Sequence, residues 1–129
     1  MKPLTREWVE KAEGDFISAQ REYRARKLPN YDSACFHAQQ CVEKYLKARL
    51  VEAGKPFSKT HDLAYLAGLL NEIEPFLLTF IHLLRELTDF AVEFRYPGES
   101  AEKEDARDAV KTCKEIRKLM RQRLGLKND

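Results

Sequence analysis

Residues 31–50 read YDSACFHAQQCVEKYLKARL, and the spacing of the apolar side chains in this stretch decides the fold. Tyr31, Ala34, Cys35, Ala38, Cys41, Val42 and Tyr45 recur at steps of three and four, the period of one helix face. Phe36, Leu46 and Leu50 widen that face until it serves two neighbours rather than one. A helix this apolar belongs at the centre of a helical assembly.

The flanking sequence supplies the neighbours. Upstream, Trp8, Ala12, Phe16, Ala19 and Tyr23 mark an amphipathic helix from about Thr5 to Arg26, with Thr5 as its cap and Leu28-Pro29-Asn30 as the joint to the next. Downstream, Ala53-Gly54-Lys55-Pro56 breaks the central helix, and Ser58-Lys59-Thr60-His61-Asp62 leads into a short helix carrying Leu63, Leu66, Leu69, Leu70 and Ile73. A fourth helix is expected from Pro75, with Leu77, Phe80, Ile81, Leu84, Thr88 and Ala91 inward, stopping at Pro97-Gly98. From Ser100 a last helix turns Ala106, Ala109, Val110, Cys113, Ile116, Leu119 and Met120 inward and ends at Gly125, with 126–129 expected to fray. Short joints between long helices imply an all-α, antiparallel up-and-down bundle of four long helices plus one short one, in a single domain over 1–129.

Composition narrows the function classes. A chain of 129 residues, 43% hydrophobic and 34% charged, has room for one core. The start, MKPLTREWVE, carries charges where an export signal needs an apolar run, so a cytoplasmic location is expected. The most apolar stretch, Pro75 to Leu84, is about half of the roughly 20 residues a membrane span needs, so no membrane partner is expected. Cys35, Cys41 and Cys113 are odd in number and sit at inward helical positions, which reads as reduced core thiols rather than disulfides or a zinc site.

No cofactor or metal is expected. A di-iron bundle wants Glu-x-x-His pairs, and none of His37, His61 and His82 has a glutamate three residues upstream. Phosphate-loop and dinucleotide glycine motifs are missing as well. Four polar residues of the central helix, His37, Gln40, Lys44 and Lys47, share one side and form a mostly basic stripe able to meet an anion. The plain alternative is wet surface, with Glu43 and Lys47 as an i,i+4 pair worth a few tenths of a kcal/mol. The tail cations Lys111, Lys114, Arg117, Lys118, Arg121, Arg123 and Lys127 face only Glu115 over the same span, as a solvated helix end or a nucleic-acid contact. His61 precedes a helix that Thr60 or Asp62 caps, and is expected to tie down the loop before it. His82 is expected to be partly buried with one hydrogen bond. Arg95 and Tyr96, in EFRYPGES, stand where the fourth helix stops, either capping carbonyls or awaiting a phosphate.

Three stretches together, ACFHAQQCVEKYLKARL, KTHDLAYL and FRYPGES, resemble the HEPN family, the higher eukaryote and prokaryote nucleotide-binding domains, in its small stand-alone prokaryotic branch. The resemblance spans nearly the whole chain. It implies a helical bundle that forms a homodimer, is often encoded beside a minimal nucleotidyltransferase, and in some members acts as an RNase toxin restrained by that partner. The toxin branch carries Arg-x4–6-His, and here no histidine has an arginine five to seven positions upstream, while no histidine follows Arg95. The tyrosines that the family's partner enzyme modifies with AMP lie in that missing motif. The expectation is therefore a weakly catalytic or non-catalytic nucleotide-binding partner in a toxin–antitoxin-like pair, dimerising through its second and fourth helices. Arg95 binds a phosphate of nucleotide or RNA, or holds the dimer through Asp89 or Glu93, with Tyr96 beside it. The alternatives are a metal-independent RNase using Arg95 with His37 or His61 brought near in space, and a helical adaptor without a nucleotide ligand.

Overall fold

The computed structural model describes residues 1–128. Among them five α-helices and one 3-10 segment occur, and no strand. They are α1 (Pro3–Arg24), α2 (Tyr31–Glu52), α3 (Leu63–Leu69), the 3-10 segment Pro75–Phe80, α4 (Ile81–Glu93) and α5 (Lys103–Arg123). The all-helical bundle expected from the sequence is the fold observed, and none of its helices is long and apolar enough to cross a membrane.

Helix α2 is the axis, touching α1, α3, α4 and α5. Its apolar surplus is spent within the chain: Ala34, Cys35, Ala38, Cys41, Val42, Tyr45, Leu46, Ala48 and Leu50 are all fully buried. The two ends of the α1–α2 pair are stapled where the chain starts, with the Lys2 backbone N–H and the Thr5 hydroxyl both donating to Glu52 Oε1, at 3.0 and 2.9 Å. That staple makes α1 and α2 antiparallel. At the opposite end Ala101 N–H donates to Asp32 Oδ1 at 2.6 Å, so α5 sets out beside the start of α2 and runs parallel to it.

Two helix ends close as the sequence anticipates. Gly54 and Gly125 take left-handed backbone, φ 69° and 74°. Lys55 N–H then reaches Leu50 C=O at 2.9 Å and Leu126 N–H reaches Arg121 C=O at 2.7 Å, the paired closure that satisfies carbonyls a helix would leave open. Of the four residues expected to fray, Leu126 packs on the core, and Asp129 lies outside the described residues.

Four local expectations need correction. Thr5 does not cap α1, because the helix starts at Pro3 behind Lys2 and the Thr5 hydroxyl goes to Glu52. The fourth helix does not run evenly from Pro75: its first turns wind as 3-10, leaving α4 at 13 residues. The last helix starts three residues late, at Lys103, behind a Glu102–Asp105 capping box. His82 is exposed, since α4 turns Leu84 and Leu87 inward instead.

All three cysteines are buried and unbridged, and burial, followed by the charges of Asp105 and Asp32, pushes the Cys35 thiol up to about 12. Much of the basic tail belongs to the fold. Arg117 grips Glu13 through Nε and Nη2, both at 2.7 Å, over the Phe16 ring, and Arg121 Nη1 donates to Tyr45 Oη at 3.1 Å. Tyr45 in turn donates to Glu13.

Burial alone would raise the Glu13 carboxyl, but hydrogen bonds from Arg117 and Tyr45 and the charges of Arg117 and Arg121 hold it below the ordinary 4.5. A depressed carboxyl stabilises the fold fully above its unfolded value and loses that contribution as pH falls through the folded one. Replacing Glu13 by Gln should therefore cost about 2 kcal/mol in urea denaturation at neutral pH, the usual worth of hydrogen bonds to a charged group. The gap from the unaltered protein should close as pH drops below 4.5; a gap that stays constant across that range would refute the assignment.

Candidate functional site

Helices α2 and α4 do not meet along their whole length. Between them lies a cavity open to solvent at its mouth. Phe36, Gln39 and Gln40 line it from α2, and Thr88, Ala91, Val92 and Arg95 line it from α4 and the turn beyond. Each set repeats at three and four residues, so one face of each helix supplies its wall. His61 closes the remaining side from the loop before α3.

That loop is fastened from both helices. Gln39 Nε2 donates to the His61 carbonyl at 2.9 Å, and the Thr88 hydroxyl oxygen accepts the Leu63 N–H at 3.3 Å. Asp62 caps α3 by accepting Tyr65 N–H at 3.2 Å, and its own N–H goes to the Thr60 hydroxyl at 3.0 Å. The tie-down expected of His61 is found, and its side chain adds to it: Nδ1 lies 2.7 Å from Glu43 Oε1. An ionised carboxylate only accepts, so Nδ1–H donates and the neutral ring keeps its lone pair on Nε2. Glu43 is 3% exposed, yet His61 is among the more open side chains of the site.

The Glu43–Lys47 pair forms as its spacing suggests, at 2.9 Å, but it is no wet surface pair. Lys47 is 6% exposed, with its ammonium 5.4 Å from the Trp8 ring centroid and 5.8 Å from that of Phe57. Gln39 Nε2 donates to Glu43 Oε1 at 3.2 Å, completing the shell round the carboxylate.

The six residues singled out from the sequence separate into two groups. Arg95 and His61 share the cavity. The Arg95 guanidinium lies 5.2 Å from the Phe36 ring centroid and forms no ion pair among the described residues, and Asp89 and Glu93 are both exposed to solvent. It also borders a second hollow with Asp32, Ser33, Phe90 and Phe94. His37 and Lys44 are turned the other way, both onto Asp15 of α1, with His37 Nδ1 at 2.8 Å. Lys47 is held by Glu43, and Tyr96 is 63% exposed and lines neither hollow.

Phe36, Gln39, Glu43 and Thr88 were not anticipated as site residues. A signal for two of them was present: Gln39 and Glu43, with Lys47, are polar residues four apart, beside the stripe of apolar side chains that the helix turns inward. Among the described residues no group of three or more His, Cys, Asp or Glu could hold a metal ion. Chemically the cavity offers an arginine with free donors stacked on an aromatic ring, and an oriented imidazole, which is equipment for a phosphate or phosphodiester.

Comparison with solved structures finds a chain of the same fold, described as the crystal structure of TT1696 from Thermus thermophilus, with a TM-score of 0.78 and 21% identity over 92% of this chain and 96% of that one. No curated protein matches. The HEPN domain model matches residues 5–123, from the first turn of α1 to the last residue of α5, and so takes in both walls of the cavity and the loop between them: the chain belongs to the HEPN domain family.

Proposed function

We propose that this HEPN protein binds a phosphate of a nucleotide or RNA in the α2–α4 cavity, as the non-catalytic or weakly catalytic member of a toxin–antitoxin-like pair with a minimal nucleotidyltransferase. One observation carries the reading: Arg95 stands over Phe36 at 5.2 Å, at the rim of a cavity, without an ion pair among the described residues. A guanidinium that the fold does not neutralise is a ready bidentate partner for a phosphate, and the ring holds its plane. Binding of AMP and short RNA to purified protein should weaken about tenfold or more in Arg95→Ala, the worth of one charge-assisted hydrogen bond set. Unchanged affinity in that variant would remove the basis of the reading.

The protein acts as a homodimer. Because α2 is consumed by the core, the contact falls on α4, which leaves Leu83 exposed at 41%, on the opposite side of the helix from the cavity-lining Val92. In solution the mass should be twice the 15.1 kDa of the chain, and Leu83→Glu should halve it. Coexpression with a neighbouring nucleotidyltransferase should yield one copurifying complex; two species that separate cleanly on the column would argue against the pairing.

The Glu43–His61 contact favours a second reading, a metal-independent RNase. In that chemistry His61 Nε2 takes the proton of the 2′-hydroxyl, the resulting oxygen attacks phosphorus, and the 5′-oxygen leaves with a proton returned from water. Arg95 would offset the charge that builds on the phosphorane oxygens. Under this reading RNA is cut in the presence of a chelator, His61→Ala abolishes cleavage, and Glu43→Gln slows it and shifts its pH profile. Cleavage that survives in His61→Ala would assign the activity to a contaminant.

A further inference from the structure

His61 lines not one hollow but two. Besides the α2–α4 cavity it borders a recess open at its mouth and bounded by Trp8 of α1, Lys47 of α2, and Phe57, Lys59 and Thr60 of the loop before α3. We propose that this recess is a base subsite, and that the ligand of the α2–α4 cavity is a single-stranded oligonucleotide at least two nucleotides long whose chain crosses His61. The inference rests on the phosphate-binding reading of Arg95.

The chemistry of the recess singles out a nucleobase. Two aromatic side chains from separate elements, Trp8 and Phe57, face one space, and the buried Lys47 ammonium lies between them at 5.4 and 5.8 Å from their centroids. Glu43 neutralises Lys47 at 2.9 Å, so that lysine holds the rings and leaves the recess without a strong local charge. A flat, uncharged, polarisable group fits there, and a base offers that face whatever its identity. Lys59 is exposed at the rim and has no ion pair among the described residues, which gives a cation for a backbone phosphate. Each hollow that His61 lines therefore has one unpaired cation, Arg95 at one and Lys59 at the other, as a phosphodiester chain between two bases requires. A duplex hides its base faces in the stack and could not enter.

Trp8 is the only tryptophan, so its fluorescence reads the recess directly. Titration with a four-residue oligoadenylate RNA should quench that emission and show at least tenfold higher affinity than AMP, while a blunt RNA duplex of matched length should do neither. Trp8→Leu should lower oligoadenylate affinity about tenfold, within the range of one base stacked on an aromatic ring, and leave AMP affinity within twofold. Lys59→Ala, at an exposed position with no hydrogen bond or ion pair among the described residues, should lower oligoadenylate affinity alone and weaken its salt dependence. Equal affinity for AMP and oligoadenylate with no quenching, or a Lys59→Ala protein that binds oligoadenylate as before, overturns the subsite while sparing the Arg95 reading. Failure of AMP and oligoadenylate alike to bind the unaltered protein overturns both.

Discussion

The Glu43 carboxylate is the point on which the arrangement turns. A carboxylate at 3% exposure is costly by several kcal/mol unless its oxygens are met by donors, and here Lys47 meets one oxygen while His61 and Gln39 meet the other. Each donor belongs to something the bundle needs placed. Lys47 holds Trp8 of α1 and Phe57 of the loop, His61 stands at the edge of two hollows, and Gln39 clamps the His61 carbonyl. One buried charge thus fixes the relation of α1, α2 and the segment before α3, where apolar contact alone would leave the loop free to slide.

The cations divide by the same logic. Arg117, Arg121 and Arg123 reach Glu13, Tyr45 and Glu74, and Lys44 with His37 reaches Asp15, so these charges are matched inside the protomer. A matched cation contributes to packing and has little left for a ligand. Arg95 and Lys59 are among the cations without an ion pair among the described residues, and they border the two hollows that His61 lines. The net charge of +2 conceals this, because it sums matched and unmatched groups alike.

How far the sequence could be read follows from the range of the interactions. Helices announce themselves through local period and punctuation, so the stripe in 31–50 and the glycines at 54 and 125 led to the right elements. The 3-10 winding of Pro75–Phe80 has no such mark, since apolar spacing there fits either helix. Site residues are harder, because what matters is who pairs with whom. His37 and His61 look equivalent in a sequence, and only tertiary placement turns one onto Asp15 and the other toward Arg95. Glu43 was visible as an i,i+4 partner of Lys47, but burial, which local spacing does not encode, changes that pair from an exposed contact of slight effect to the anchor of the site.

His61 and Arg95, which both line the cavity, are held in different ways, and this bears on how the site can respond. His61 is fixed by bonds of its own, through its carbonyl and its ring, to α2. Among the described residues the Arg95 side chain has no such bond; it lies just past Glu93, where its backbone N–H still reaches Val92 C=O at 3.3 Å, and its place is set by how α4 packs through Leu84 and Leu87. A guanidinium over Phe36 can slide across the ring at small cost, whereas an imidazole hydrogen-bonded to a buried carboxylate cannot leave without taking one donor from that charge. The cavity therefore has a rigid wall on the α2 side and an adjustable one on the α4 side. Under the proposed reading, a phosphate entering between them would draw Arg95 to itself, while a partner bearing on the exposed face of α4 would act on the same wall from behind.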